Sequence, residues 1–180
     1  VLEPSAEGID QARNSAFLVR QYRQLPKVNL SGIDAEISYR FSEHITWSSS
    51  AAWISGKQEN GEGLIDIPPF NLTNKLRLHP LKNKPLSLSL TSAYTAEQTA
   101  FPDRNFRYNF IENGAIVNAL VDISRPPSAY HLMNFDLSTK VGKGIELRLV
   151  IDNIFNSDYR NYLNRLRYFA ENTGRNFRLE

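Results

Sequence analysis

The sequence predicts an all-β fold, the wall of an antiparallel transmembrane β-barrel. Three observations lead there. Apolar and polar residues alternate along most of the chain. The links between the alternating runs are short and long in turn. The runs themselves are long for strands.

Period two dominates. Ile33, Ala35, Ile37, Tyr39 and Phe41 fall on one side of their run, and Asp34, Glu36, Ser38 and Arg40 on the other. Successive strand side chains point to opposite faces, so one face is apolar and the other charged. Ile45, Trp47, Ala51 and Trp53 oppose Thr46, Ser48, Ser50 and Ala52 in the same way. Phe70, Leu72, Leu76 and Leu78 oppose Asn71, Thr73, Lys75, Arg77 and His79. Leu86, Leu88, Leu90 and Tyr94 oppose Ser87, Ser89 and Thr91. Met133, Phe135 and Leu137 oppose Asn134, Asp136 and Ser138. Ile145, Leu147, Leu149 and Ile151 oppose Glu146, Arg148 and Asp152. The phase breaks at Ser49, Asn74 and Val150, and a seventh run starts near Arg175 and stops at Glu180.

A soluble sandwich also has one apolar and one polar face, so the links decide. Ser42–His44, Pro80–Pro85 and Val141–Gly144 are short, whereas Gly56–Ile67, Ala96–Pro127 and Asn156–Gly174 are long. In an antiparallel series the short links gather at one end and the long ones at the other. Outer-membrane barrels have this asymmetry, and compact soluble domains rarely hold several long structureless loops. The runs span about 9–13 residues, against the ~9–11 that cross a bilayer at a tilt. Tyr39, Phe41 and Trp47 lie near the short-turn end, and Trp53 and Tyr94 near the long-loop end, as two interfacial aromatic girdles require.

Composition removes other classes. The 180 residues carry 21 Lys and Arg against 19 Asp and Glu, too balanced for a protein that grips nucleic-acid phosphates. There is no Cys, hence no disulfide framework and no Cys-based metal site. Apolar residues make up 41 %, too many for a disordered tail, yet no run approaches the ~18 residues of a spanning helix. No G-x-S-x-G, H-E-x-x-H or G-x-x-x-x-G-K motif occurs, so the protein is not expected to be an enzyme.

Asp152-Asn153-Ile154-Phe155-Asn156-Ser157-Asp158-Tyr159 resembles the eNLFnkxY signature of TonB-dependent outer-membrane receptors, which closes the penultimate barrel strand. Gly174-Arg175-Asn176-Phe177-Arg178-Leu179 is similar to the start of that family's final strand. Val28-Asn29-Leu30-Ser31-Gly32-Ile33-Asp34-Ala35-Glu36 resembles its GxE strand, and Ile67-Pro68-Pro69-Phe70-Asn71 its iPph strand start. The four motifs keep the family's order. The resemblance implies a barrel of about 22 strands closed by an N-terminal plug. Residues 1–180 would be its C-terminal part, about seven strands, with plug and earlier strands absent and the final strand cut short from about 175. It implies energy-coupled uptake of a scarce nutrient such as a ferric siderophore, haem, cobalamin or another metal complex, in the outer membrane of a Gram-negative bacterium. The implied partners are outer-membrane lipid and lipopolysaccharide, the small-molecule or metal-chelate ligand, and TonB-ExbB-ExbD acting through the absent N-terminal part. No nucleic acid and no resident cofactor or metal is implied. A soluble β-sandwich binding module and a passive porin segment remain the alternatives.

Ligand contact is expected in the long loops. Ala96–Pro127 holds Arg104, Arg107 and Tyr108, and its Asn113-Gly114 predicts a hairpin with arms Phe106–Glu112 and Ala115–Ile123. Guanidinium groups beside aromatics suit an anionic metal chelate, although a solvated hairpin in which Arg balances Asp103 and Glu112 explains the same residues. Asn156–Gly174 holds Arg160, Arg165 and Arg167. Its Tyr159, Tyr162, Leu163, Leu166 and Phe169 are spaced as one face of a short amphipathic helix, packed on the rim or lining the ligand mouth. His131 is the histidine nearest the long loops, whereas His44 and His79 fall at the short-turn end. Asp34, Glu36, Arg40, Lys75, Arg77, Glu146, Arg148 and Asp152 line the polar face, where they are expected to pair with one another, with the plug or with water.

Overall fold

The computed structural model describes residues 2–4, 20–22, 27–79, 85–102, 106–121, 125–142, 144–167 and 169–180. Within them the strands are β1 (Leu2–Pro4), β2 (Arg20–Tyr22), β3 (Val28–Arg40), β4 (Ile45–Gln58), β5 (Asn71–Leu78) and β6 (Leu86–Thr95). Then follow β7 (Phe106–Glu112), β8 (Ala115–Val121), β9 (Tyr130–Val141), β10 (Ile145–Asp152) and β11 (Asn176–Leu179), and no helix occurs among the described residues.

One antiparallel sheet holds seven of them, in the order β11-β10-β9-β6-β5-β4-β3. Apart from β7 and β8, which lie in the link between β6 and β9, neighbours in sequence are neighbours in space, as an up-and-down barrel wall requires. The sheet is open in this chain, with β3 and β11 at its edges. β3 and β4 run 13 and 14 residues, longer than the alternation alone suggests, because Val28–Gly32 continues the pairing opposite Ile54–Gln58. The other two sheets are small: β7 pairs β8 within the Ala96–Pro127 link, and β1 pairs β2. The β1–β2 pair has no counterpart in the sequence reading, since three residues are too few to show a period.

The turns follow local chemistry. Asn113 and Gly114 both take positive φ (51° and 80°), the geometry that a two-residue hairpin of this twist demands. Gly142 (φ 72°) and Gly144 (φ 91°) serve the tight β9–β10 link in the same way.

The register aligns the faces. Tyr39, Trp47, Leu76, Leu90, Phe135, Ile151 and Phe177 form one unbroken row across all seven strands. One step towards the short turns lies a second row, Ile45, Leu78, Leu88, Leu137, Leu149 and Leu179. The opposite face carries Arg40, Thr46, Arg77, Ser89, Asp136, Val150 and Arg178.

Large apolar side chains stand exposed on β3, β4, β6, β10 and β11. Ile33 is 67 % exposed and Phe177 63 %, whereas Ser89 on the polar face is 6 % exposed. Val150 and Tyr162 are the apolar residues that are buried among those described, and Val150 lies on the polar face. That placement accounts for the break at Val150, a valine 5 % exposed in register between Asp136 and Arg178. Each large apolar side chain left in water forgoes about 1.5–3 kcal/mol of burial. A whole face of them needs another solvent.

Candidate functional site

All three long links meet at one end of the sheet, and their roots are built from short polar side chains. At the end of β10 the chain turns through Asn153 and Asn156, both with positive φ (50° and 53°), a conformation asparagine tolerates. Asn153 is buried; its Oδ1 accepts the Ser157 N–H at 2.9 Å and its Nδ2 donates to the Ser157 carbonyl at 2.8 Å. Its own N–H donates to Asn134 Oδ1 on β9 at 2.8 Å. Asn156 Oδ1 accepts the Arg175 N–H at 2.8 Å, which ties the start of β11 to the end of β10. The Asp152–Tyr159 motif is thus a clasp at the two feet of the loop.

Within that loop the expected helix over Tyr159–Phe169 does not form, and this corrects the periodicity reading. Asn161 Oδ1 accepts the Leu163 N–H at 2.8 Å and Asn164 Oδ1 the Leu166 N–H at 3.0 Å. Side chains that bond the backbone two residues on compete with helical hydrogen bonds. The chain takes successive tight turns instead, Asn164 N–H to Asn161 O and Arg167 N–H to Asn164 O, each at 3.0 Å.

The loops hold one another. Gln98, after β6, is buried and donates through Nε2 to the Ile67 carbonyl at 2.7 Å. Gly63 packs so closely on the Ala100–Phe101 backbone that a Cβ there would lie 2.5 Å from the Ala100 carbonyl carbon. Arg165 Nη2 meets Asp66 Oδ2 at 2.5 Å, which joins the loop after β10 to the loop after β4. The rings of Tyr130 and Tyr159 lie 4.8 Å apart. Burial, with the neighbouring Tyr130 and Asp152, pushes the Tyr159 phenol above its ordinary value.

The residues singled out for ligand contact fall in different places. Arg104 lies outside the described residues, as does the expected arm end at 122–123. Arg107 and Tyr108 stand on β7, opposite Leu120 and Ala119 in the register. His131 is on β9, on the apolar face beside Tyr94, and shares a 2.8 Å hydrogen bond between its Nε2 and Ser92 Oγ. Arg160, Arg165 and Arg167 share one loop but engage different partners. Arg160 meets Glu171 at 3.6 Å, Arg165 meets Asp66, and the buried Arg167 lies over the Tyr162 ring at 4.8 Å. Asp66, Gln98 and Gly63 brace the loops and carry no sequence signal, because their partners are far along the chain.

Among the described residues no group of three or more His, Asp or Glu is placed to hold a metal. At the opposite end, His44 Nδ1 donates to the His79 carbonyl at 2.7 Å and the His79 N–H to the His44 carbonyl at 2.8 Å, a mutual tie at the short turns. On the polar face Arg148 bridges Asp136 (2.5 Å) and Glu180 (3.3 Å), and Arg178 meets Asp152 at 3.0 Å. These charges pair laterally, as expected of a wetted barrel interior.

No family model and no curated protein matches the chain. Solved structures do. The copper transporter OprC is similar over 83 % of this chain and 22 % of its own, with 19 % identity and a TM-score of 0.66. The ferripyoverdine receptor of the outer membrane of Pseudomonas aeruginosa, bound to ferripyoverdine, is similar over 98 % of this chain and 22 % of its own, at 12 % identity and TM-score 0.57. P. aeruginosa FpvA bound to a heterologous pyoverdine gives 99 %, 22 %, 13 % and 0.59 in the same terms. The chain therefore spans about a fifth of the length of the structures it matches. At these identities the likeness shows the fold: the described sheet is built like part of an outer-membrane receptor barrel.

Proposed function

We propose that the chain is the C-terminal wall segment of a TonB-dependent outer-membrane receptor in a Gram-negative bacterium. The whole protein imports a scarce nutrient, a ferric siderophore or another metal complex, with energy delivered by TonB-ExbB-ExbD through a plug domain outside residues 1–180. The segment does no bond chemistry. It supplies wall, braces the lumen and contributes three of the ligand-capturing loops. One observation carries this reading: a single antiparallel layer of seven strands with no second layer over its apolar face among the described residues, large apolar side chains exposed on β3, β4, β6, β10 and β11, and its long loops interlocked at one end.

Other features support it. The similar structures are a copper transporter and ferripyoverdine receptors. The polar face holds Asp34, Glu36, Arg40, Lys75 and Arg77 without an ion-pair partner among the described residues, and a plug would meet them. A soluble sandwich needs a second layer over the Tyr39–Phe177 row, and the described strands supply one layer there.

The test is uptake of labelled ferric siderophores and copper complexes by cells with and without the parent gene. The reading predicts that at least one complex enters only with the gene, and that dissipating the proton gradient stops its entry. Gene-dependent entry that survives loss of the gradient favours the passive porin. Equal uptake by both strains, across the whole panel, contradicts the importer.

A further inference from the structure

Two cations on the polar face stand where the sheet itself cannot answer them. Lys75 and Arg77 lie on β5, an inner strand with β4 on one side and β6 on the other. In the register Lys75 falls between Ser48 and Thr91, and Arg77 between Thr46 and Ser89. One step towards the long loops come Ser50, Thr73 and Ala93. β4, β5 and β6 contain no Asp or Glu at all. Neither cation has an ion-pair partner among the described residues. Arg40 on β3 adds a third positive charge to the Arg77 row, beyond Thr46. The other side of the sheet differs. There Arg148 on β10 meets Asp136 on β9, and Arg178 on β11 meets Asp152 on β10. Asp136 shares the Arg77 row, but Arg148 already engages it.

We propose that the Lys75–Arg77 patch docks an acidic segment of the plug domain, outside residues 1–180. The inference rests on the barrel-wall reading, which turns this face into the lumen. Both lateral neighbours of β5 lack a carboxylate, so the counter-charge comes from across the face. Like charges this close repel, and a facing carboxylate replaces that repulsion with attraction. A ligand held by the long loops is too far away. Arg77 lies ~20 Å down β5 from Asn71, where the strand leaves those loops. The ground around the cations suits polypeptide. Thr46, Ser48, Ser89 and Thr91 carry hydroxyls that both donate and accept, so a backbone laid over them finds partners for its N–H and C=O groups. Polypeptide to fill the place is plentiful in a protein of the size of the similar structures, since about four-fifths of each lies outside the stretch matched here.

The test uses the full-length protein in its native membrane and a water-soluble carbodiimide, which joins a carboxylate to an amine only where the two touch. Lys75 supplies the amine. Lys140 and Glu146, opposed in the register of β9 and β10, serve as the reference pair. Mass spectrometry of the digested protein identifies the joined peptides. The proposal predicts Lys75 joined to an Asp or Glu of the same polypeptide outside residues 1–180, in a yield comparable to the reference pair. Lys75→Gln removes that product. Arg77→Glu lowers it several-fold and leaves the reference product unchanged. An unreacted Lys75 beside a reacted reference pair overturns the docking, because water and small anions then suffice for the patch. A Lys75 product confined to residues 28–180, or formed with a different polypeptide, overturns it as well. None of these results touches the importer reading, which falls instead by equal uptake in the two strains, whatever Lys75 contacts.

Discussion

Asn153 and Ser157 close a two-way hydrogen bond across the end of β10, side-chain amide to backbone amide. Every atom of the Asn153 carboxamide that can bond is used, and the residue is 3 % exposed. Asn153→Ala should therefore cost about 1–3 kcal/mol of local stability. Asn153→Asp should fare no better, because an acceptor oxygen replaces the Nδ2 donor and faces the Ser157 carbonyl. Amide hydrogen exchange at Ser157 and Arg175 reads both effects, with the middle of β9 as an unaffected reference.

Gly63→Ala tests the contact between loops. Its Cβ would meet backbone, not a flexible side-chain tip, 2.5 Å from the Ala100 carbonyl carbon. The loop after β4 and the segment after β6 must then separate. The expected result is faster cleavage of these loops by external protease on intact cells, with unchanged insertion of the barrel.

The Asp66–Arg165 pair is short but open to water, with the Arg165 side chain 79 % exposed. Exposed pairs are worth about 0–1 kcal/mol. A double-mutant cycle on Asp66→Asn and Arg165→Gln, read by hydrogen exchange in the joined loops, should give a coupling within that range. It should shrink as salt is raised.

Tyr159 predicts an alkaline sensitivity. Its phenol is held above the ordinary tyrosine value by burial first, then by Tyr130 and Asp152. A raised folded-state value means the contribution to loop stability is intact below the usual tyrosine range, about 10. It is lost as pH climbs through the higher folded value. Proteolysis of the loop after β10 should accelerate in that window, and Tyr159→Phe should abolish the acceleration.

The wall was more legible than the site. Alternation depends on a period that any strand displays, so each main strand, the Asn113-Gly114 hairpin and the succession of links follow from local sequence. The loop after β10 shows the limit. Tyr159, Tyr162, Leu163, Leu166 and Phe169 have helical spacing, yet Asn161 and Asn164 turn the backbone with their own side chains. The spacing records which residues are apolar, and the asparagines determine the path. Asp66 with Arg165, and Gln98 with Ile67, meet only after the sheet has folded. So do Ser49, Asn74 and Ser92, whose adjacency needs the register of three strands.

The central claim is which solvent each face of the sheet meets. Spin labels placed one at a time on the whole protein in lipid bilayers measure this directly. Ile37, Leu88 and Leu147 sample the apolar face, and Ser38, Ser87 and Arg148 the polar one. The account predicts that the first set relaxes with dissolved oxygen, which concentrates in hydrocarbon, and the second with a water-soluble nickel chelate. Apolar-face labels shielded from both reagents would mean a protein layer covers them, and the membrane-wall account would be wrong.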